Sequence, residues 1–248
     1  MAGVVLGAAA PVSADTPDVD PKADALLQRM SSDLAALKTF SVDTQNSTEV
    51  VTQQGEKVAM LAGSTVSAER PNKLRTDRAG AHADMTFFYD GRNVTIWGKR
   101  ANLYATAQAP PTLDQTIDFV RDKLDIDAPA ADLLGSNPYQ ALMEDVVSGK
   151  YIADEPIGDR MCHHLAYRGH ETDWQIWIAD GPQALPCRFE ITSKTVPGQP
   201  EYVVTLTNWR INPPLPANEF VFTPPRGSAR IDFLDASQRA QDLRKEPK

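Results

Sequence analysis

The chain has 248 residues, 42% of them hydrophobic and 23% charged, with 14 Gly, 19 Pro, two Cys and a formal net charge of −8. That is enough apolar residue to bury a core in one large domain or two small ones, and it excludes collagen-like, disulfide-scaffold and fully disordered chains. With 33 acidic against 25 basic side chains and no basic run, a nucleic acid is excluded as a partner and an anionic membrane is a poor one.

At the N-terminus a short apolar run from Val4 to Ala10 precedes Val12-Ser13-Ala14. Small side chains there suit a signal peptidase, so residues 1–14 read as a signal peptide cleaved before Asp15. No Lys or Arg precedes the run, and the true start of the signal is expected upstream. Residues 15–22 follow as a leader, 23–234 as a single domain and 235–248 as a polar tail. No later run reaches the about 18 apolar residues of a transmembrane segment. A soluble periplasmic location is expected, and disulfides persist there.

Asp20-Pro21 opens the first helix, since Asp can cap and Pro suits the first helical position. Ala23, Leu26, Leu27, Met30, Leu34 and Leu37 then make a one-sided apolar stripe. From Phe40 to about Ala107 the period drops toward two and turn signals multiply, which predicts an antiparallel meander of four to five strands. Within it, a two-residue Asp90-Gly91 loop would pair Tyr89 with Arg92, Phe87 with Val94 and Met85 with Ile96. Met85, Phe87, Tyr89, Val94 and Ile96 then share an apolar face that must be covered. The opposite face, with Thr86, Phe88, Asn93, Thr95 and Trp97, is mixed and expected mostly in water.

Thr112-Leu-Asp-Gln115 is a capping box, and Leu113, Ile117, Val120 and Leu124 form the stripe of a covering helix. A second helical piece begins near Pro138, with Tyr139, Leu142, Met143 and Val146 on its apolar side. Strands resume at about Val147, with Met161–Tyr167, Thr172–Ile178, Cys187–Lys194 and Glu201–Trp209 as segments. The fold class is α+β: about nine or ten strands in a single curved antiparallel sheet, with helices covering its concave face.

Cys162 and Cys187 fall on the outer two of three consecutive strands, where backbones stand roughly 9–10 Å apart across the middle strand. They can meet only where the middle strand ends, so a disulfide and two separate structural thiols both stay open. Neither a nucleophile elbow, a P-loop, a dinucleotide fingerprint nor a C-x-x-C motif occurs. Adjacent His163 and His164 point to opposite faces of a strand and cannot share a metal without a bulge. One is expected to pack against Trp or Tyr and the other to be exposed. No catalytic residue, metal site or cofactor is assigned.

Phe87-Phe-Tyr-Asp-Gly91, Asn102-Leu-Tyr-Ala105, Cys162-His-His-Leu-Ala166, Asp173-Trp-Gln-Ile-Trp-Ile178, Leu185-Pro186 before Phe189, and Phe220-Val-Phe-Thr-Pro-Pro225 occur in that order. Together they resemble the predicted periplasmic proteins called domain of unknown function 2092. Cys187 departs from the resemblance, which more often has a basic residue after Leu-Pro. The family is similar in fold to the carriers LolA, LolB and LppX and to the sensor RseB, which implies a half-open β-barrel with helices in its concavity. The resemblance further implies a binder or carrier of lipid or lipoprotein acyl chains. Met85, Phe87, Tyr89, Val94 and Ile96 would be its floor and Leu113, Ile117, Val120 and Leu124 its lid. An envelope module that touches another protein is the alternative, and an enzyme using His163 or His164 is a third reading.

Overall fold

In the computed structural model, residues 17–81 and 83–233 are described. The signal peptide expected over residues 1–14, the expected tail 235–248 and His82 lie outside them.

Helix α1 (Pro21–Ala36) is capped by Asp20, whose carboxylate accepts from the Lys22 amide at 2.7 Å, and Pro21 stands in its first turn. Its buried face is Ala23, Leu27, Met30, Ser31 and Leu34. Two residues of the expected leader already form a short strand, β1 (Asp18–Val19), ahead of this helix.

After α1 come six strands: β2 (Thr39–Val51), β3 (Lys57–Glu69), β4 (Lys73–Gly80), β5 (Met85–Tyr89), β6 (Asn93–Gly98) and β7 (Leu103–Gln108). Helix α2 (Leu113–Asp122), a 3-10 turn at Ala131–Leu134 and helix α3 (Pro138–Met143) interrupt the sheet. Strands β8 (Val146–Ile157), β9 (Arg160–Gly169), β10 (Thr172–Ala179), β11 (Pro186–Ser193), β12 (Glu201–Ile211) and β13 (Ala229–Ile231) complete it. The thirteen strands among the described residues exceed the nine or ten expected. The first meander has six members, and the two end strands are too short to show a period. Val146, expected on the second helical piece, starts β8 instead.

All thirteen strands form one sheet in the order β1-β8-β9-β10-β11-β12-β2-β3-β4-β5-β6-β7-β13. Two sequential meanders, β2 to β7 and β8 to β12, are sewn together by antiparallel pairing of β12 with β2. The free edges do not meet. Each is covered by a short parallel strand, β1 on β8 and β13 on β7, which shields otherwise unpaired backbone.

The β5–β6 hairpin departs from the expected register by two residues. Tyr89 faces Val94 and Phe87 faces Ile96, and the loop is Gly91-Arg92. Asp90 closes the turn rather than occupying it: its carboxylate accepts from the amides of Arg92 (2.9 Å) and Asn93 (2.7 Å). Gly91 takes the positive φ of +93° that the first loop position needs. A shift of two keeps every side chain on its face, so the apolar grouping is unchanged.

The other face of this hairpin is not mostly in water. Phe222, on the segment after β12, packs against Phe88, Tyr104 and Trp97 with ring centroids 5.4, 5.0 and 6.4 Å away. Thr86, Phe88 and Thr95 are buried beneath this clasp.

On the concave side the two halves of the sheet are filled differently. Over β8–β10, α1 packs directly on the strands, and the Tyr167 hydroxyl donates to the Ala23 carbonyl at 3.1 Å. Over β2–β6 the covering elements are α2 and the 3-10 turn. Arg70 holds that turn to the sheet by donating to the carbonyls of Leu134 (2.6 Å) and Gly135 (3.0 Å).

Candidate functional site

The space under α2 is not fully packed. A cavity of about 260 Å³ remains between the concave wall of β2–β6 and β12 and the segment 113–134. Protein interiors rarely leave voids much larger than a water molecule, so this volume is a distinct feature. Its wall alternates along each strand: Phe40 and Val42 on β2, Val66 on β3, Leu74 on β4, Phe87 on β5 and Ile96 on β6.

Of the nine residues expected to bind ligand, Met85, Phe87 and Ile96 line the floor, and Leu113, Ile117 and Val120 line the roof. Tyr89, Val94 and Leu124 do not reach the cavity. Tyr89 and Val94 are completely buried in the packed core, and so, nearly, is Leu124 past the end of α2. Burial pushes the Tyr89 phenol upward. Its hydroxyl donates to the Pro110 carbonyl at 2.6 Å, just ahead of α2.

α2 sits where it does because Thr112 caps it. The Thr112 hydroxyl accepts from the Gln115 amide at 3.3 Å, and Thr116 donates back to Pro110 at 3.2 Å. Beyond the helix, Arg121 grips Asp132 at 2.9 Å, which folds the chain back over the cavity.

The far wall was not assigned from sequence. Tyr202, Val204 and Leu206 of β12 line the cavity; their alternation was visible, but their pairing with β2 was not. Trp209 also enters it, 5.7 Å from the Phe40 ring. An irregularity between Thr207 and Arg210, with Asn208 at φ +53°, re-aims this side chain. One end of the cavity is polar, with Thr44 and Asn46 on β2, Ser64 on β3, and Thr76 and Arg78 on β4.

Cys162 and Cys187 form a disulfide, with Cα atoms 6.8 Å apart. The pairing closes because Cys162 lies opposite Ala179, the last residue of β10, while Cys187 is the extra residue of a bulge facing Trp177 and Ile178. The bridge belongs to a small cluster with Trp177 and Ala179, separate from the main core.

His163 and His164 do part to opposite sides. His164 stacks on Trp177, centroids 4.0 Å apart and planes 14° off parallel, and its Nε2 lies 2.9 Å from Gln175 Oε1. Arg188 lies over the same indole, 5.7 Å from its centroid. His163 is not the exposed partner expected: its side chain is 15% exposed and pairs with Asp154 beside Tyr151. Among the described residues no cluster of His, Cys, Asp or Glu could hold a metal ion. No helix there is long and apolar enough to cross a membrane.

An open, mostly antiparallel sheet wrapped around helices, with a cavity under one of them, defines the class of half-open β-barrels. The chain belongs to the family of predicted periplasmic proteins called domain of unknown function 2092, whose model matches residues 23–234. Its location is accordingly periplasmic, in keeping with the disulfide. An uncharacterized conserved protein from Thermus thermophilus is similar in structure, with a TM-score of 0.50 and 11% identity over 85% of this chain and 99% of that one. MucB is similar with a TM-score of 0.50 and 13% identity, over 82% of this chain and 64% of MucB. The Mycobacterium tuberculosis lipoprotein LppX scores 0.45 at 13% identity, over 79% and 98%. No curated protein matches the sequence.

Proposed function

We propose that the protein is a periplasmic carrier of hydrophobic ligands, with residues 23–234 acting as one domain and an acyl chain of a lipid or lipoprotein as cargo. The observation that supports this reading is the cavity of about 260 Å³ between a largely apolar strand wall and a capped, amphipathic α2. Apolar cavities stay dry and accept apolar molecules.

Each methylene moved from water into such a site contributes about 0.8 kcal/mol, so one long chain draws on the order of 10 kcal/mol from its shelter. Met85, Phe87, Ile96, Val66 and Leu206 form the floor in this reading, while Leu113, Ile117 and Val120 exchange contacts with one another for contacts with the ligand. A net charge of −8 disfavours lingering at an anionic membrane, which suits a shuttle.

Lipid extraction of natively purified protein followed by mass spectrometry tests the reading. A stoichiometric apolar ligand is expected; protein that is repeatedly empty and fails to take up added lipid refutes it.

A further inference from the structure

The polar end of the cavity contains two side chains with unmet bonding capacity. Arg78 lines the wall from β4, and its Nε is buried with no hydrogen-bond partner. Among the described residues its guanidinium forms no ion pair, whereas three arginines on the outer face of the same sheet are paired: Arg75 with Asp77, Arg188 with Glu190 and Arg210 with Asp43. Asn46 lines the same wall from β2, is 7% exposed, and its Oδ1 is likewise buried and unpartnered. Arg78 as a whole is half-buried, but burial of an unpaired polar atom is costly. Two such groups in one cavity wall indicate a site completed by something else.

The register fixes where they stand. Arg78 faces Ser64 on one side and Met85 on the other, and Ser64 faces Thr44, two residues from Asn46. Tyr202, across β2, closes the group: burial raises its phenol, and the Arg78 cation pulls it back, so the two groups feel one another. The apolar residues Phe40 and Leu74 occupy the opposite end of β2 and β4. Asp127 is the other charged residue at the cavity; it is exposed on the loop after α2 and makes no ion pair with Arg78.

We infer that the cavity selects amphiphiles with an anionic head, the head held by Arg78 with Asn46 and the tail lying along Val42, Val66 and Leu206 under α2. A carboxylate and a phosphate both fit, because the guanidinium fork donates to either as a pair of parallel bonds. The Asn46 amide can turn either end to the ligand, donating to an anionic oxygen or accepting from a glycerol hydroxyl. This inference rests on the carrier reading and narrows its cargo away from neutral acyl chains.

The test is equilibrium binding to the delipidated full-length protein of three probes with the same sixteen-carbon tail: palmitate, palmitoyl lysophosphatidate and hexadecanol. One or both anionic probes are expected to bind at least tenfold more tightly than hexadecanol, and the better of the two names the head group. Arg78→Met should remove that preference by weakening the anionic probes, and Arg78→Lys should restore part of it. Equal binding of all three, or an Arg78→Met loss shared by all three, overturns the inference and leaves the carrier reading standing. Failure of every probe to bind overturns both. The comparison of probes on the unmutated chain does not depend on any variant folding.

Discussion

The Tyr89 hydroxyl donates to the Pro110 carbonyl at 2.6 Å, from a strand of the sheet to the segment just before α2. Thr116, in the first turn of that helix, donates to the same oxygen at 3.2 Å. Both bonds fix the angle at which α2 leaves the sheet, and the Leu113 amide adds a third tie by donating to Pro71 at 3.0 Å. Tyr89 therefore shapes the cavity from behind without touching its interior.

Tyr89→Phe removes one tie and leaves the Pro110 carbonyl satisfied by Thr116. The expected loss of stability is about 1 kcal/mol, with faster amide exchange across residues 113–122 and faster ligand release. Exchange mass spectrometry and a ligand off-rate measurement check it. Unchanged exchange in α2 would show that the lid is held elsewhere.

Val66→Trp places an indole in the cavity from the middle of β3. Overpacking of this kind costs typically ~1–3 kcal/mol, so the variant should retain its circular dichroism spectrum while taking up at least tenfold less lipid. Lipid content per molecule after native purification reads this directly. A variant that stays folded and fully loaded would place the ligand somewhere other than this cavity.

On the outer face, Asp77 accepts from the Thr86 hydroxyl at 2.7 Å and from Arg75 Nε at 2.7 Å, with Lys99 3.7 Å away. Burial alone would raise its carboxyl, but these three partners outweigh it, and the net shift is downward. A carboxyl depressed by folding adds stability that is complete above the ordinary carboxylate value near 4 and fades as pH falls through the folded value. Asp77→Asn should therefore lower the urea midpoint at pH 7, with the gap from wild type narrowing as pH falls below the ordinary carboxylate range. A gap independent of pH would contradict the assignment.

The parts of this fold that could be read from sequence are those that repeat. The α1 stripe from Ala23 to Leu34, the Thr112 cap and the alternation of β5 and β6 each carry a period or a capping residue. A bulge is one additional residue with no compositional mark, so the placement of Cys187 and of Trp209 was not legible. The same holds for cover supplied from a distance: nothing near Phe88 announces Phe222, 134 positions away, as its lid. The β12 side of the cavity wall escaped for a related reason, since Tyr202 and Leu206 join it only through the β12–β2 pairing. Arg78 was indistinguishable in sequence from the paired arginines near it, because what sets it apart is a missing partner.

The Cys162–Cys187 bridge closes a loop of 25 residues over the end of β10. In the chain-entropy account a loop of that length contributes about 3.5 kcal/mol, with measured values typically ~2–4 kcal/mol. Replacing both cysteines by Ser is expected to lower stability by that order in urea unfolding, and a reductant should do the same to the wild type alone. Because the bridge lies in the small cluster around Trp177 rather than along the cavity, lipid uptake by the folded variant should be unchanged. Loss of uptake with intact folding would tie the bridge to the site.

Phe222 is the last element to test, since it holds the C-terminal segment across β5, β6 and β7 through three aromatic neighbours. The ring is half-buried, so Phe222→Ala should cost less than the ~3–5 kcal/mol of a fully buried Phe, about 2 kcal/mol. The effect should also be directional. Release of the clasp exposes Phe88 and Trp97 on the outer face and frees β13, which pairs with β7 only from Ala229 to Ile231. Amide protection should fall in 229–231 and along the adjacent β7 edge, while α1 and β9–β10 keep theirs. A uniform loss of protection across the sheet would mean that the segment is part of the core rather than a cover laid on it.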